Sequence, residues 1–383
     1  MMNRRVDFWL AMLTTVLITF GLMMVYSASS VTASPTGAGP TLKYVVRQVA
    51  AIGVGSVLAA GVAFAGTKNL RWLSNTLYGF SICLLFLTLP FGIEVNGAKR
   101  WIGAGGINFQ PSEFVKLTTL LVAAHTLSER REYIRHVETT LRVLAWTLPP
   151  VALLLLQPDF GTAAILMGSV VLLLMIAGIP YEWYILIFTL GASVIGGLVA
   201  VAPYRLNRVH TFIDPWQVEA DGGHQVIQGF LALHSGGWAG LGLGNGYAKL
   251  HYLPEPWTDF IAAVVGEELG FLGLLVPVAL FAAWVWRALR ISRDARDAYG
   301  MYLGATLAAL VGIEALLNLG VVLGLVPPKG LVLPFISYGS TAMMSHLVIV
   351  GVLLAIAAEA RPAPLPAGWL HRKDSTDFSG EGA

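Results

Sequence analysis

The stretch Asp259–Trp286, DFIAAVVGEELGFLGLLVPVALFAAWVW, joins a long apolar run to acidic residues near its start. An apolar run of about 20 residues can cross the ~30 Å hydrocarbon core of a membrane as a helix. Ionised carboxylates are costly in hydrocarbon, so acidic residues in such a run usually mark function. The stretch therefore predicts a membrane helix in which Asp259, Glu267 and Glu268 each need a special role.

Similar apolar runs recur along the whole chain. Of its 383 residues, 56% are hydrophobic and only 12% are charged, which lies outside the range of soluble domains. We predict an all-α integral membrane protein with one polytopic domain over 1–360, followed by a disordered tail over 361–383. About ten spans are predicted, near Phe8–Ser27, Val45–Ala65, Ser74–Phe91, Ser112–Leu127, Leu141–Leu156, Phe160–Gly178, Tyr181–Ala202, Asp259–Trp286, Tyr299–Val326 and Gly339–Ala358.

The distribution of basic residues predicts the orientation of these spans. The first span follows Arg4 and Arg5 as a signal peptide would, but its apolar part is longer than that of a cleaved signal, which favours an uncleaved helix. Fifteen Lys and Arg residues lie on the side of the two termini and eight on the other side, and Lys116 lies within a span. Cytoplasmic loops carry the excess of positive charge, so both termini are predicted to be cytoplasmic.

Several classes of site are disfavoured by the composition. The single cysteine, Cys83, excludes an intramolecular disulfide, and the eight histidines form no metal-binding motif. The glycine run Gly236–Gly246 follows no strand, so it does not predict a nucleotide loop. We predict no nucleic-acid partner.

A long outer segment, Pro203–Thr258, separates the seventh and eighth spans. It exceeds the usual length of a connection, which is typical of functional loops. Within it, Gln225–His234 is predicted to be a short helix at the membrane interface.

Five motifs on the outer side together resemble the SEDS family (shape, elongation, division and sporulation) of peptidoglycan glycosyltransferases. The match covers essentially the whole membrane domain, and its last segment is more similar to the cell-division member than to the elongation member. Trp257 and Ala248 depart from the family, which usually has His and Gln there, and GSTA at Gly339–Ala342 replaces a common GGSS. The motifs are NGAKRWI from Asn96, QPSEFVKL from Gln110, QPDFGTA from Gln157, LPEPWTDF from Leu253 and VPPKGLVLPFISYG from Val326.

The resemblance implies polymerisation of lipid II, a lipid-linked disaccharide-pentapeptide, on the outer face of the bacterial cytoplasmic membrane. A sugar hydroxyl then attacks an anomeric carbon and displaces a polyprenyl diphosphate, which requires a base and positive charge. Asp259 is the predicted base, placed at the start of the eighth span with Thr258 as N-cap. The alternative is an acid that only stabilises the helix end. Small residues along this helix, from Ala262 to Gly270, are predicted to line a cavity.

The remaining predicted site residues fall into two groups. The first binds substrate through the diphosphate, with surface ion pairing as the alternative for the basic residues: Arg100, Arg205, Arg208, Lys249, Lys329 and Ser337. The second supports the site through pairing or packing, with substrate contact as the alternative for the first two: Glu113, Lys116, Asp159, Glu267 and Glu268.

The cofactor and partners are less determined by the sequence. No resident cofactor is predicted, and a divalent cation, Mg²⁺ or Mn²⁺, is left open as a neutraliser of the diphosphate. The chain has no S-x-x-K motif of a serine transpeptidase, so the resemblance implies a class B penicillin-binding protein as partner, beside membrane lipids and other division proteins. The rival functions are a lipid II flippase, since intramembrane charges also mark transport paths, and a non-catalytic scaffold. Against the flippase, the sequence shows no paired helix breaks.

Overall fold

The computed structural model describes residues 7–30, 39–95, 97–104, 107–201, 211–217 and 223–360. The predicted tail over 361–383 lies outside these residues. The helices are α1 (Phe8–Ser29), α2 (Gly39–Phe91), α3 (Pro111–Glu129), α4 (Val137–Leu156), α5 (Phe160–Ala177), α6 (Tyr181–Val201), α7 (Gly223–Gly236), α8 (Ile261–Arg293), α9 (Ala298–Val322) and α10 (Ser340–Glu359). The strands are β1 (Ile93–Val95), β2 (Ala98–Ala104) and β3 (Ile107–Phe109).

The predicted all-α membrane fold is confirmed. Seven helices of the described residues, α1, α2, α4, α5, α8, α9 and α10, are long and apolar enough to cross a membrane. Helix α2 is broken at Gly66, so its two halves correspond to two predicted spans. With α3 and α6, each of the ten predicted spans corresponds to a helix or half-helix.

The break at Gly66 is stabilised by the end of the last helix. Gly66 has φ 78°, in the left-handed region that favours glycine. A Cβ at this position would lie 2.6 Å from Glu359 Oε1. That carboxylate accepts hydrogen bonds from the backbone N–H of Thr67, at 2.9 Å, and from the Thr67 hydroxyl. The carboxylate thus replaces partners that the interrupted helix lacks.

A second break, at Gly270 in α8, is filled by the glycine run after α7. Gly270 has φ 72°, and a Cβ there would lie 2.4 Å from the backbone N of Gly240. The N–H groups of Leu241 and Gly242 donate to the carbonyls of Glu267 and Glu268, at 3.0 and 2.9 Å. The sequence was interpreted as lacking paired helix breaks; Gly270 is a break inside one predicted span, whereas Gly66 lies between two predicted spans. Both breaks have their backbone groups satisfied by protein, as buried polar groups require.

The predicted helix Gln225–His234 corresponds to α7, which packs along the first part of α8. A Cβ on Gly236 would lie 2.0 Å from the carbonyl oxygen of Gly266, and one on Gly266 would lie 2.4 Å from Leu233. The predicted cavity along the small residues of α8 is thus wrong for Gly266 and Gly270. Their missing side chains allow α7 and the glycine run to approach the α8 backbone.

A small antiparallel sheet, which the sequence did not predict, lies between α2 and α3. Its strand order is β1-β2-β3, and Ile93 pairs with Trp101 while Ile102 pairs with Phe109. The motif that begins at Asn96 lies largely on β2, although Asn96 itself is outside the described residues. The sheet positions Arg100 near the start of α5.

Candidate active site

The turn before α8 is held in place by the segment between α9 and α10. The Ser337 hydroxyl donates to the carbonyl of Thr258 at 2.6 Å, and the N–H of Tyr338 donates to the carbonyl of Trp257 at 2.9 Å. The Trp257 ring packs on Tyr44 of α2, with centroids 4.7 Å apart. Trp257, one of the departures from the family pattern, is therefore an anchor for this turn.

The backbone of Asp259 is fixed by Asn318, which the sequence analysis missed. Asn318 lies near the end of α9 and is 1% exposed. Its side-chain amide donates to the carbonyl of Asp259 at 2.9 Å and to that of Leu331. A Cβ on Gly330 would lie 3.7 Å from Asp259 Oδ2. One buried amide thus joins the Asp259 turn to the segment that carries Lys329.

The carboxylate of Asp259 is half-buried and has neutral hydrogen-bond partners. Thr258 Oγ1 lies 2.9 Å from Asp259 Oδ1, and Gln225 of α7 also bonds this side chain. Burial raises the pKa of Asp259 to about 6, repulsion by Glu255 adds to the rise, and the hydrogen bonds from Thr258 and Gln225 oppose it. At neutral pH most of the carboxylate is ionised, so it can accept a proton from a bound hydroxyl.

The predicted N-cap at Thr258 is wrong. Helix α8 begins at Ile261, and Phe260 is its N-cap residue without a side-chain hydrogen bond. The Thr258 hydroxyl bonds the carbonyl of Glu255 at 2.8 Å and the Asp259 carboxylate instead. Asp259 therefore lies in a turn ahead of the helix, not in its first turn.

Ser337 was predicted to bind substrate. Its buried hydroxyl forms hydrogen bonds to two backbone segments and joins them. Its hydroxyl donates to Thr258 and accepts from the N–H of Leu333 at 2.8 Å. Gln48 of α2, which the sequence analysis did not single out, donates to the carbonyl of Ser337 at 3.1 Å and accepts from Gly339 at 3.2 Å. The Ser337 hydroxyl is thus occupied by backbone groups, and substrate contact by Ser337 stays a prediction.

Arg100 and Asp159 meet near the start of α5. Arg100 is half-buried, and its guanidinium donates to the carbonyl of Gln157 at 3.3 Å and to that of Pro158. Asp159 caps α5 by accepting from the N–H and hydroxyl of Thr162, at 3.4 and 2.9 Å. Asp159 was predicted to support the site through pairing or packing, and its hydrogen bonds with Thr162 fix the start of α5.

Lys329 lies close to both acidic residues of this region. A Cβ on Gly161 would lie 3.5 Å from Lys329 Cδ and 4.0 Å from Asp159 Oδ1. The next residue, Gly330, adjoins the Asp259 carboxylate. The structure therefore brings Asp259, Lys329 and Asp159 to one end of the helix bundle. Arg205 and Arg208 lie outside the described residues.

Lys249, predicted to bind diphosphate, lies in a buried ion pair instead. Lys249 Nζ is 2.7 Å from Glu268 Oε1 and 3.3 Å from Ser27 Oγ of α1. The Lys249 and Glu268 side chains are 3% and 0% exposed. The Lys249 charge is thus neutralised inside the protein, and diphosphate binding by Lys249 stays a prediction.

Glu267 and Glu268 both lie in hydrogen-bond networks, as predicted. Glu267 accepts from the N–H groups of Tyr247, at 2.8 Å, and Ala248. Glu268 accepts from Ser27 and from the N–H of Gly244 at 3.1 Å. The two carboxylates thus fasten the chain after the glycine run to α8.

A second buried charge cluster lies between α3, α9 and α10. Lys116 Nζ is 3.0 Å from Glu113 Oε2 and also contacts Glu314, which in turn lies 2.7 Å from His346 Nε2. His346 Nδ1 lies 2.6 Å from the carbonyl of Ala342, so Nδ1 must donate. A proton then lies between His346 Nε2 and Glu314. The predicted pair, Glu113 and Lys116, is thus part of a cluster of four titratable groups that also includes Glu314 and His346.

The missed residues share one signal, a polar or charged side chain inside an apolar span. Asn318, Glu314 and His346 all interrupt apolar runs of the sequence. Such residues are functional or paired by default. That signal finds them but does not name their partners.

Comparison with known proteins places the chain in a family. A family model described as "Cell cycle protein", for FtsW, RodA and SpoVE, matches residues 8–362. Stage V sporulation protein E of Bacillus subtilis is 35% identical over 93% of this chain and 98% of its own length. The probable peptidoglycan glycosyltransferase FtsW of Trichlorobacter lovleyi is 38% identical over 94% of this chain and 95% of its own.

Solved structures are similar to the whole bundle. One, described as showing the structural coordination of polymerization and crosslinking by a peptidoglycan synthase complex, has a TM-score of 0.76 and 28% identity, and covers 92% of this chain and 97% of that chain. The rod shape determining protein RodA of Thermus thermophilus has a TM-score of 0.69 and 29% identity, over 93% and 98%. The fold, the motifs and the matched length agree, and the chain belongs to the FtsW/RodA/SpoVE family of multi-pass membrane proteins, the SEDS family.

Proposed function

We propose that this protein is a peptidoglycan glycosyltransferase that polymerises lipid II for the septal cell wall during division. The observation that carries the proposal is Asp259, a carboxylate with a raised pKa and neutral hydrogen-bond partners, fixed by its backbone in a turn at the end of the bundle. Relatives over nearly the full length are named probable peptidoglycan glycosyltransferase FtsW. The division role follows from that name.

Asp259 acts as general base in this reaction. It takes the proton of the attacking sugar hydroxyl as the hydroxyl oxygen bonds to the anomeric carbon, and the bond from that carbon to the diphosphate oxygen breaks. The polyprenyl diphosphate leaves with the bonding electron pair. A positioned base of this kind contributes about 10²- to 10⁴-fold to the rate.

Arg100 and Lys329 are the described residues best placed to bind the leaving diphosphate. Two carbonyls account for two of the five N–H donors of Arg100. Lys329 precedes the glycine that adjoins Asp259. Fixed positive charge near the leaving group stabilises the transition state. Arg205 and Arg208 stay in this proposal as residues outside the described part of the chain.

A divalent cation, Mg²⁺ or Mn²⁺, stays open within the proposal. No group of three or more His, Cys, Asp or Glu residues in the described part of the chain is arranged to hold a metal ion. Asp159, which lies near Lys329, already accepts two hydrogen bonds. Such a cation would therefore be held chiefly by the diphosphate and water, which is the usual mode for Mg²⁺.

The proposal places both termini in the cytoplasm and the Asp259 site outside it, on the charge bias of the loops. The partner is a class B penicillin-binding protein, which supplies the cross-linking step. A solved structure similar to this chain belongs to a synthase complex that coordinates polymerization with crosslinking, and this supports the proposed partner.

One observation favours a flippase as the second candidate function. Helices broken within a span are typical of transporters, and α8 is broken at Gly270 inside a predicted span, whereas the break of α2 at Gly66 separates two predicted spans. Both breaks are filled by protein groups, Glu359 in one case and the glycine run in the other. They therefore do not expose backbone groups to a translocated substrate.

The test is polymerisation by the purified protein in liposomes with lipid II in the leaflet that faces the Asp259 site. Polymer from the wild type supports the glycosyltransferase. If the wild type makes none, with or without its transpeptidase partner, but moves labelled lipid II between leaflets, the flippase is correct.

A further inference from the structure

A cavity near the start of α8 has a lining suited to a sugar. It has a volume of about 220 Å³ and lies between α7, the turn Ala248–Tyr252 and the first part of α8. Sites that enclose a whole ligand usually measure about 300–1,000 Å³, so this cavity fits one unit of a longer molecule. The lining residues that matter here are Gln228, Leu231, Ser235, Tyr247, Tyr252 and Glu267.

The cavity is connected to the catalytic turn through one face of α7. Gln225 lies near enough to the Asp259 carboxylate to lower its pKa, and a Cβ on Gly229 of the same helix would lie 2.9 Å from the ring of Phe260, the residue after Asp259. Gln228 and Ser235 line the cavity three and ten residues after Gln225. These positions share a face of a helix, which rises about 1.5 Å per residue. The face therefore leads from the reacting carboxylate into the cavity over roughly 5 to 15 Å.

The side chains of the lining match the two kinds of surface on a sugar ring. Tyr247 and Tyr252 are 63% and 56% exposed and offer aromatic faces to C–H groups. Gln228 offers an amide donor and acceptor, and the Ser235 hydroxyl, which donates to the carbonyl of Ala232 at 2.9 Å, can still accept a hydrogen bond. Such a lining, mostly apolar with a few placed polar groups, is typical of small-molecule sites.

Charge argues against the diphosphate or an anionic lipid headgroup as the occupant. The lining contains the carboxylate of Glu267 and no Lys or Arg among its residues. Glu267 also accepts hydrogen bonds from the N–H groups of Tyr247 and Ala248, so the turn that carries Tyr252 is fixed in position. A rigid, uncharged or weakly acidic lining selects a neutral ligand.

We propose that this cavity is a subsite for one sugar of the growing glycan strand, next to the unit that reacts at Asp259. The proposal rests on the function proposed above, because only a polymerase has such a strand. Retention of the strand between additions is the role of the subsite. The competing explanation is an aromatic belt at the membrane interface, where Tyr residues are common.

The test compares wild type, Tyr252→Ala, Gln228→Ala and a matched control, Trp216→Ala. Trp216 is 59% exposed in the same outer segment and lies outside the cavity lining. The probe is a neutral β-1,4-linked N-acetylglucosamine tetramer, whose binding to the purified full chain is measured by saturation-transfer NMR. Lipid II polymerisation is followed in parallel for rate and product length.

Tyr252→Ala and Gln228→Ala should each weaken probe binding at least fivefold, as truncation of a contact residue at a binding hot spot does. Their products should shorten by a larger factor than the rate falls, whereas Trp216→Ala should match wild type. Equal probe binding in all four proteins would overturn the subsite. So would a loss confined to association with lipid vesicles, which would indicate the interfacial belt. If wild type binds the probe but forms no polymer, the proposed function fails and the assignment to a growing strand fails with it.

Discussion

Two carboxylates near the start of α8 have opposite surroundings. Glu268 is fully buried and contacts Lys249 and Ser27, so its charge is matched inside the protein. Asp259 is half-buried, its described hydrogen-bond partners are neutral, and its pKa is raised to about 6. They lie nine positions apart in the chain.

The contrast distinguishes a structural acid from a reactive one. A buried carboxylate with a charged partner stays ionised and holds structural elements together. Removing its partner strongly destabilises the folded protein. An unpaired carboxylate with a raised pKa is a stronger base, and its charge is available to the reaction. The mutations below should therefore affect activity at Asp259 and stability at Glu268.

The largest effect is expected from Asp259→Asn. Loss of the proton acceptor should lower the polymerisation rate by about 10²- to 10⁴-fold. The variant should be at least as thermostable as wild type at pH 7, because it removes an ionised carboxylate that burial disfavours. The measurements are polymer yield from lipid II in proteoliposomes and the melting temperature. Near-wild-type yield would remove Asp259 from the catalytic role.

Lys249→Met tests whether the buried pair of Lys249 and Glu268 serves stability and not catalysis. Removing one partner of a buried ion pair typically costs about 3–5 kcal/mol, so the melting temperature should fall while the rate per folded molecule stays close to wild type. Glu268→Gln is the matched variant and should behave in the same way. A normal melting temperature with a raised KM for lipid II would return Lys249 to the diphosphate site.

Asn318→Ala asks whether the position of Asp259 matters as well as its charge. The substitution removes the amide that joins the carbonyls of Asp259 and Leu331. Misplacement of a reacting group by about 1 Å can cost about 10²-fold in rate, so kcat should fall by up to that factor. Gln48→Ala, which loosens the same segment further from the carboxylate, should have a smaller effect. Equal losses would mean that Asn318 only stabilises the fold.

Arg100→Ala should have a smaller effect, about tenfold on kcat/KM, because a hydrogen bond to a charged group contributes about 1.5–3 kcal/mol and other basic residues share the diphosphate. Arg293→Ala, at the opposite end of α8, is the control for loss of positive charge. The check is the rate of lipid II consumption at matched amounts of folded protein. Equal rates for the two variants would exclude Arg100 from the site.

The sequence predicted the helices well because apolar length alone determines what can span a membrane. It also predicted networks around Glu267 and Glu268, since buried carboxylates persist only when satisfied. It did not identify the buried site in which Lys249, Glu268 and Ser27 meet. Ser27, which completes that site, lies 241 positions before Glu268. Contacts between such distant positions depend on how the helices pack.

The sequence also did not predict the helix break at Gly270 or the role of Asn318, because both depend on contacts with distant segments. Glycine is common within apolar runs, and only the approach of the glycine run, with Gly240 N–H near Gly270, makes φ > 0 necessary there. Asn318 is visible as a polar residue in an apolar span, but its role depends on two carbonyls from different segments. The proposed base, Asp259, could be found from its motif, whereas the residues that position it could not.

The smallest effect concerns the pH dependence of the Asp259 carboxylate. The pKa of Asp259 is raised to about 6, mainly by burial, and the base must be ionised to accept a proton. The rate should therefore be nearly constant above about pH 7 and fall about tenfold per unit below pH 6.

Stability should change in the opposite direction over this range. A carboxyl group with a raised pKa in the folded state favours folding when protonated, and this contribution is lost as the pH rises through about 6. Acidification from pH 7 to pH 5.5 should thus lower the rate while the Asp259 carboxyl group contributes more, not less, to stability. Rate and melting temperature measured on the same samples would test this, with Asp259→Asn as the reference whose melting temperature lacks that contribution. The rate and the wild-type melting temperature are each compared with those of Asp259→Asn at the same pH. If both fall together on acidification, the loss of activity comes from unfolding, and the pKa of Asp259 is that of an ordinary carboxyl group.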